Sequence, residues 1–233
     1  MLYYRKFGFE IGCFGKQCQY LLSMIPSFDM KDGYFVLVDE SNRKQVLSDV
    51  KQLYGAWEVK YNGMIHNEGY EYAFVTESNP YKDREFTYLY YRGSGKPSAY
   101  FTIHKEMRNE GQIVVCTRLV YAGKEGLQGF LALVKTMESD HVQVIFTIPA
   151  CKTMECLVKE WSMGAFSENQ IPLGMVRVVN VERVLKKAAY RGNGQVILGI
   201  TNSVLPQNNG SYWIRFTNGT LTAIERMPQD QVP

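Results

Sequence analysis

The segment Tyr3-Tyr4-Arg5-Lys6-Phe7-Gly8-Phe9 is the most distinctive stretch of the chain in terms of possible chemistry. A tyrosine hydroxyl can act as a general acid, and next to a sulfur ester it can protonate a departing thiolate. The same aromatic rings could equally serve packing. The residue types leave both interpretations open.

A second candidate is the run Gly123-Lys124-Glu125-Gly126-Leu127-Gln128-Gly129, between a predicted strand and a predicted helix. Free backbone amides at a helix start can hold a pyrophosphate. Against this use, Glu125 places a negative charge where the phosphate would sit. Gly126 and Gly129 fall inside the helix, where small residues usually permit close packing on a sheet. Packing is therefore the favoured interpretation.

The string Gly93-Ser94-Gly95-Lys96 looks like part of a phosphate-binding loop, but its surroundings do not fit. That motif needs a glycine six residues before the lysine, where Tyr90 stands. It also needs serine or threonine after the lysine, where Pro97 stands. We therefore predict a glycine-rich hairpin connection.

Metal and hydrolase chemistry have no support in local spacing. His66, His104 and His141 are dispersed, without an HxH or HExxH pattern, so no metal site is predicted. No GxSxG turn presents a nucleophilic serine, and no acidic pair has a spacing diagnostic of hydrolysis.

The cysteines indicate a reducing compartment. Their odd count and the lack of a CxxC pair argue against a disulfide framework and a zinc site. Cytoplasmic location is the simplest prediction, with Cys116 as a small core residue. The five are Cys13, Cys18, Cys116, Cys151 and Cys156.

Length and composition describe a globular chain. The 233 residues fit one large domain or two smaller ones, and 45% apolar with 21% charged residues can build a core. A net charge of +3 is too small to make nucleic acid the default partner. Apolar runs such as Val142–Ile148 are too short to cross a bilayer, and the amino terminus lacks a secretory pattern.

Hydrophobic periodicity predicts a mixed α/β arrangement, with a sheet that contains at least one crossover. In this part of the sequence, three helices are predicted, at Asn42–Lys60, Lys124–Glu138 and Lys152–Trp161. The accompanying strands are Gln19–Met24, Phe86–Tyr91, Ser98–Lys105, Ile113–Tyr121 and Val142–Ile148.

A second unit is predicted near the carboxyl end of the sequence. Met175–Val179 should form a strand, and Asn180 should cap a helix through Tyr190. A β-meander follows, with a hairpin turn at Asn218-Gly219. Its three strands are Gln195–Thr201, Ser211–Phe216 and Thr220–Ile224.

Several of these segments resemble the GNAT-type N-acetyltransferases. Tyr4-Arg5-Lys6-Phe7-Gly8-Phe9 matches the Tyr-x-x-x-Gly-Phe signature near the end of GNAT domains. Arg118-Leu119-Val120 with Lys124–Val134, and Met175–Val181, are similar to the second GNAT domain of the enhanced intracellular survival (Eis) type. Val204–Trp213 resembles the opening of that family's sterol-carrier-like domain.

The resemblance implies a domain order. Residues 1–26 would be the tail of a first GNAT domain, and 27–174 a second, degenerate GNAT-like domain. Residues 175–233 would begin an incomplete sterol-carrier-like α+β unit. The implied fold is a GNAT-like mixed sheet with packed helices, and the family assembles as homo-oligomers.

The resemblance also implies a chemistry: acetyl transfer from acetyl-CoA to a small-molecule or lysine amine. Tyr4 would be the general acid toward the coenzyme A thiolate, with Tyr3 as the fallback. The family binds acetyl-CoA at a glycine-rich helix start that does not precede Tyr4, so the coenzyme site is expected outside these residues. The family's terminal carboxylate base cannot be transferred to Pro233. A non-catalytic module for assembly or apolar-ligand binding remains the alternative.

Overall fold

The computed structural model describes residues 2–30, 32–61, 64, 66, 69–93, 95–154, 157 and 166–227. Within them the chain forms two compact units. One unit comprises Cys13–Leu173, and the other joins the residues up to Gly12 with those from Gly174 onward. No helix among the described residues is long and apolar enough to span a membrane.

Seven strands form a mixed sheet in the order β2-β3-β4-β5-β6-β1-β7. Neighbours are antiparallel from β2 to β5 and between β6 and β1, whereas β5 and β6 are parallel. The strands are β1 Glu10–Leu21, β2 Tyr34–Leu37, β3 Phe86–Tyr91, β4 Pro97–Arg108, β5 Gly111–Tyr121, β6 Gln143–Pro149 and β7 Phe166–Val176.

A helix makes the connection that the parallel pair requires. The helices in chain order are α1 Leu2–Arg5, α2 Arg43–Lys60, α3 Ala73–Thr76, α4 Pro80–Asp83, α5 Gly123–Lys135 and α6 Val181–Lys187. Helix α5 lies between β5 and β6 in sequence and buries Phe130, whose ring packs edge-on against Phe101 of β4 and Phe146 of β6.

The larger sheet is covered on both faces. Phe101 belongs to the buried cluster that contains the apolar side of α5. The preceding residue, Tyr100, belongs to a second cluster with Val46, Val50 and Leu53 of α2. Because successive strand residues point to opposite faces, α2 and α5 cover opposite faces of the sheet.

The smaller unit contains an antiparallel sheet of β8 Gly194–Ile200, β9 Gly210–Thr217 and β10 Thr220–Met227. Asn180 caps α6, since its side-chain oxygen accepts a hydrogen bond from the Arg183 amide at 2.8 Å. Asn218 and Gly219 both have positive φ, of 50° and 77°, as a type I′ hairpin turn requires. The predicted Asn180 cap and the predicted hairpin turn are confirmed, whereas α6 ends at Lys187 and not at Tyr190.

Three element predictions need correction. The strand predicted at Gln19–Met24 is longer at its start, and Leu22–Met24 forms a 3₁₀ turn. The strand predicted at Met175–Val179 is the end of β7, which stops at Val176. Lys152–Met154 are not helical, and most of the remaining predicted helix to Trp161 lies outside the described residues.

Candidate active-site elements

The Tyr4 segment is a single helical turn closed by a glycine. Helix α1 ends at Arg5, and Gly8 has φ of 75°, a left-handed conformation that glycine adopts without strain. The Gly8 amide donates to the Arg5 carbonyl at 2.9 Å, and the Phe9 amide donates to the Tyr4 carbonyl at 3.3 Å. These bonds satisfy carbonyls at the helix end and turn the chain into β1.

Neither tyrosine of this segment is a core residue. The Tyr3 side chain is 65% exposed and Tyr4 is 55% exposed. Their rings contact only local aromatic neighbours among the described rings: Tyr3 packs on Phe7 at 5.4 Å, and Tyr4 on Phe9 at 6.1 Å between centroids. Such edge contacts orient the two rings, and more than half of each residue stays exposed to solvent.

A guanidinium lies beside the same turn. The Arg177 Nε is the nearest atom to the position that a side chain on Gly8 would occupy, at 3.7 Å. Both Nε and Nη2 of Arg177 are buried and have no hydrogen-bond partner among the described residues. Arg177 lies in a family-like stretch of the sequence, but no local pattern gives it a role, because its proximity to Gly8 joins positions far apart in the chain.

The parallel strands β5 and β6 separate after a short ladder. Pairing joins Ile113–Val115 to Gln143–Ile145, although both strands continue beyond it. On its other side, β5 carries an irregularity against β4, since Ile103 pairs with Cys116 and Thr102 with Arg118. The extra residue, Thr117, bulges the strand and adds to its twist.

Core side chains line the separated parts of β5 and β6. Leu119, Tyr121, Phe146 and Ile148 are all less than 10% exposed and belong to one apolar cluster. Burial raises the pKa of Tyr121, and its hydroxyl has no hydrogen-bond partner among the described groups. A coenzyme arm needs open space, and on the face that carries these side chains the strands are packed.

The glycines at the start of α5 are used for close packing. A side chain on Gly126 would lie 2.1 Å from the Ser98 carbonyl oxygen, and one on Gly129 would lie 2.3 Å from the Tyr90 ring. The Glu125 carboxylate forms an ion pair with Arg92 at this helix end. The sequence-based preference for packing over phosphate binding agrees with this geometry.

The described cysteines and histidines lie in separate places of the fold, and two of the cysteines are buried. Burial, aided by the nearby Glu168 carboxylate, raises the pKa of the Cys18 thiol to about 12, and burial also raises the pKa of Cys116. Within the described part of the chain, no group of three or more metal-ligating side chains occurs. His104 and His141 lie next to Glu106 and Asp140 respectively, in separate places.

One polar cluster was not anticipated from the sequence. The Tyr20 hydroxyl donates to Glu168 Oε1 at 2.5 Å, and Lys16 Nζ lies 3.1 Å from Glu168 Oε2. Lys16 and Tyr20 share one face of β1, but Glu168 is about 150 residues away. No local pattern could reveal the cluster, whose mutual pairing compensates the partly buried charges.

Comparison with solved structures identifies the fold. A GCN5-related N-acetyltransferase from Anabaena variabilis ATCC 29413 matches 96% of this chain, with a TM-score of 0.77 and 19% identity. A probable N-acyltransferase of unknown function from Enterococcus faecalis V583 matches 97%, with a TM-score of 0.76 and 17% identity. Eis1 from Mycobacterium abscessus matches 99%, with a TM-score of 0.67 and 14% identity.

These likenesses establish a GNAT fold, as the sequence predicted. The chain spans 55% of the first two neighbours and 57% of the third. No protein-family model matches the chain, and no curated protein does. The domain order, the Eis-type assignment and the sterol-carrier-like unit stay predictions.

Proposed function

We propose that the chain is part of a GNAT-type N-acetyltransferase that transfers acetyl from acetyl-CoA to a primary amine. The observation that carries the proposal is the GNAT fold, with its mixed sheet and separated parallel strands. The Tyr-x-x-x-Gly-Phe match at Tyr4 supplies the chemical detail.

In the proposed reaction, the unprotonated amine attacks the thioester carbonyl and forms the new C–N bond. Collapse of the tetrahedral intermediate breaks the C–S bond, and Tyr4 gives its phenolic proton to the departing thiolate. The amine nitrogen loses its own proton to a base that we do not assign. The role requires a phenol that is not enclosed in the core, and Tyr4 is 55% exposed.

We propose that the coenzyme binds mainly to residues outside this chain. Two observations support this placement: the α5 glycines are occupied by backbone and ring contacts, and one face of the separated parts of β5 and β6 is packed. The acceptor is proposed to be a small-molecule amine or a lysine side chain. A cytoplasmic location and homo-oligomeric assembly also remain proposals.

The role of Tyr4 is tested by Tyr4→Phe, with Tyr3→Phe as the matched control. In the natural protein, Tyr4→Phe should lower kcat for acetyl transfer by about 10²-fold. Loss of one hydroxyl from an exposed ring should leave folding unchanged. Unchanged turnover in Tyr4→Phe removes Tyr4 from the mechanism, and a large loss in Tyr3→Phe alone transfers the role to Tyr3.

The coenzyme placement is tested by calorimetric titration of the 233-residue chain with acetyl-CoA. We expect no saturable binding in the micromolar range. Micromolar binding would show that this chain carries a complete coenzyme site, and it would leave the reaction class intact while overturning the proposed placement.

A second candidate function is a non-catalytic module for assembly or apolar-ligand binding. Strand β8 is an edge strand without a charged residue, and Val196, Ile197 and Leu198 are each more than a third exposed. Edge strands of soluble proteins usually carry charges, prolines or bulges that prevent pairing. An uncharged apolar edge is therefore compatible with a further strand or an apolar ligand.

Sedimentation of Ile197→Lys distinguishes this candidate. If β8 mediates assembly, the wild-type chain should associate with increasing concentration, and Ile197→Lys should remain monomeric. Val184→Lys is the matched control, because Val184 is also an exposed apolar residue of the same unit. A wild-type monomer that also fails to bind a fluorescent fatty acid would eliminate this candidate.

A further inference from the structure

Arg177 presents an unused pair of hydrogen-bond donors. Its Nε and Nη2 are buried and have no partner among the described residues. These two nitrogens form one side edge of the guanidinium, where two parallel N–H groups match the two oxygens of a carboxylate. The orphaned pair is thus the geometry of a bidentate carboxylate contact.

An unpaired buried guanidinium edge is energetically unfavourable. Arginine stays charged at every physiological pH, so it cannot escape the penalty by losing its proton. Buried polar groups in folded proteins are almost always hydrogen-bonded, and a specific exception calls for an anion or water. An anion that satisfies both donors would recover much of the lost solvation.

The acidic residue that follows the Gly8 turn in the sequence already has a partner. Glu10 forms an ion pair with Arg5 at 3.1 Å, which leaves its charge engaged. Lys6 adds a further positive charge to the segment. The surroundings of Gly8 and Arg177 therefore favour an incoming anion.

We propose that the Nε–Nη2 edge of Arg177 binds a carboxylate beside the turn that carries Tyr4. The approach requires the Gly8 turn to shift, because the edge is covered in the described conformation. The glycine allows this movement, since it adopts many backbone conformations at low cost. The proposal is independent of the acid role of Tyr4, because it concerns binding alone.

Planar geometry favours a carboxylate over a phosphate. Both anions offer two oxygens to a guanidinium, and both bind arginine in proteins. A phosphate carries two further oxygens outside the guanidinium plane, which a buried edge would also have to accommodate. Acetate and inorganic phosphate are therefore the two probes that separate the possible ligands.

The test is an NMR titration of the ¹⁵N-labelled chain with sodium acetate at constant ionic strength. We expect saturable shifts of the Arg177 Nε–H and the Gly8 amide, with half-saturation in the millimolar range. Arg177→Lys keeps the charge but lacks the paired N–H groups. The acetate affinity measured from the Gly8 amide shift should therefore fall by about tenfold or more. Arg183→Lys, an exposed arginine of the same unit, should leave the response unchanged.

Each other outcome overturns the proposal. If phosphate binds more tightly than acetate, the site is not selective for carboxylates. If sodium chloride causes the same shifts, or Arg177→Lys responds as the wild type does, the ion contact is non-specific. If the Arg177 Nε–H is already slow to exchange and ignores acetate, the edge is satisfied within the chain.

Discussion

Substitution of Gly126 by alanine should destabilise the protein, although alanine normally strengthens a helix. Gly126 lies in the first turns of α5, where its Cα faces β4. An added Cβ would lie 2.1 Å from the Ser98 carbonyl oxygen and 3.0 Å from the Ser98 carbonyl carbon. Ordinary non-bonded carbon–oxygen distances are about 3.3 Å or longer, so α5 and β4 must move apart by about 1 Å.

The opposing free energies can be compared. Replacing a helical glycine by alanine gains about 1 kcal/mol in helix propensity. Overpacking against a backbone carbonyl costs about 1–3 kcal/mol. The Ser98 carbonyl also accepts the Ala122 amide at 2.7 Å, and weakening that bond costs about 1 kcal/mol. The expected net loss is about 1–3 kcal/mol.

Gly55→Ala is the matched control. Gly55 is in the interior of α2, and an added Cβ there meets no atom within 4 Å. The propensity gain should therefore appear undiminished, at about 1 kcal/mol. The two alanine variants should differ in stability by about 2–4 kcal/mol, in opposite directions from the wild type.

Urea unfolding at 25 °C, followed by circular dichroism and tryptophan fluorescence, measures both free energies. The slope of the free energy against urea should not change, because the surface exposed on unfolding is unchanged. If Gly126→Ala is as stable as the wild type while Gly55→Ala is stabilised, the predicted clash with the Ser98 carbonyl is refuted. That result would mean that α5 does not approach β4 closely and that its start is open to ligands.

Two further predictions concern ionisable side chains. Alkylation of the native protein at pH 8, measured by mass spectrometry, should label the exposed Cys151 and leave Cys18 unlabelled. A pKa of about 12 leaves almost no Cys18 thiolate at that pH. Equal labelling of the two cysteines would contradict the buried environment of Cys18. Burial raises the pKa of Tyr91, Tyr100 and Tyr121, so their contribution to stability is complete below pH 10 and declines at higher pH. Denaturation monitored up to pH 12 should show this decline, and constant stability above pH 10 would contradict it.

Local sequence patterns predicted most helices, caps and turns correctly, because each of these patterns arises within one element. The spacing of Val46, Val50 and Leu53 predicted α2, which buries all three. The Asn180 cap and the Asn218-Gly219 turn were predicted because each depends on short-range hydrogen bonds or backbone conformation. The short strand β2 was missed because four residues carry too little periodicity.

The candidate site likewise contains one residue suggested by a local motif and others that only the fold brings together. Tyr4 was singled out from a short local signature, and its role as an acid stays a prediction; the structure adds only that it is exposed. The Lys16, Tyr20 and Glu168 cluster was not found, because strands distant in sequence bring those groups together. The unpaired edge of Arg177 was also invisible, since only atomic surroundings show which donors lack acceptors.

The amino-acid sequence alone therefore determined the α/β class and the order of most helices and strands, and it suggested Tyr4 as an acid, which stays a proposal. These features follow from hydrophobic periodicity, turn residues and a short motif, all of which act over a few residues. Tertiary structure decided whether the α5 glycines pack or bind phosphate, how far β5 and β6 pair, and which charges meet. Those outcomes depend on contacts between residues distant in the chain, whose distances no local pattern encodes.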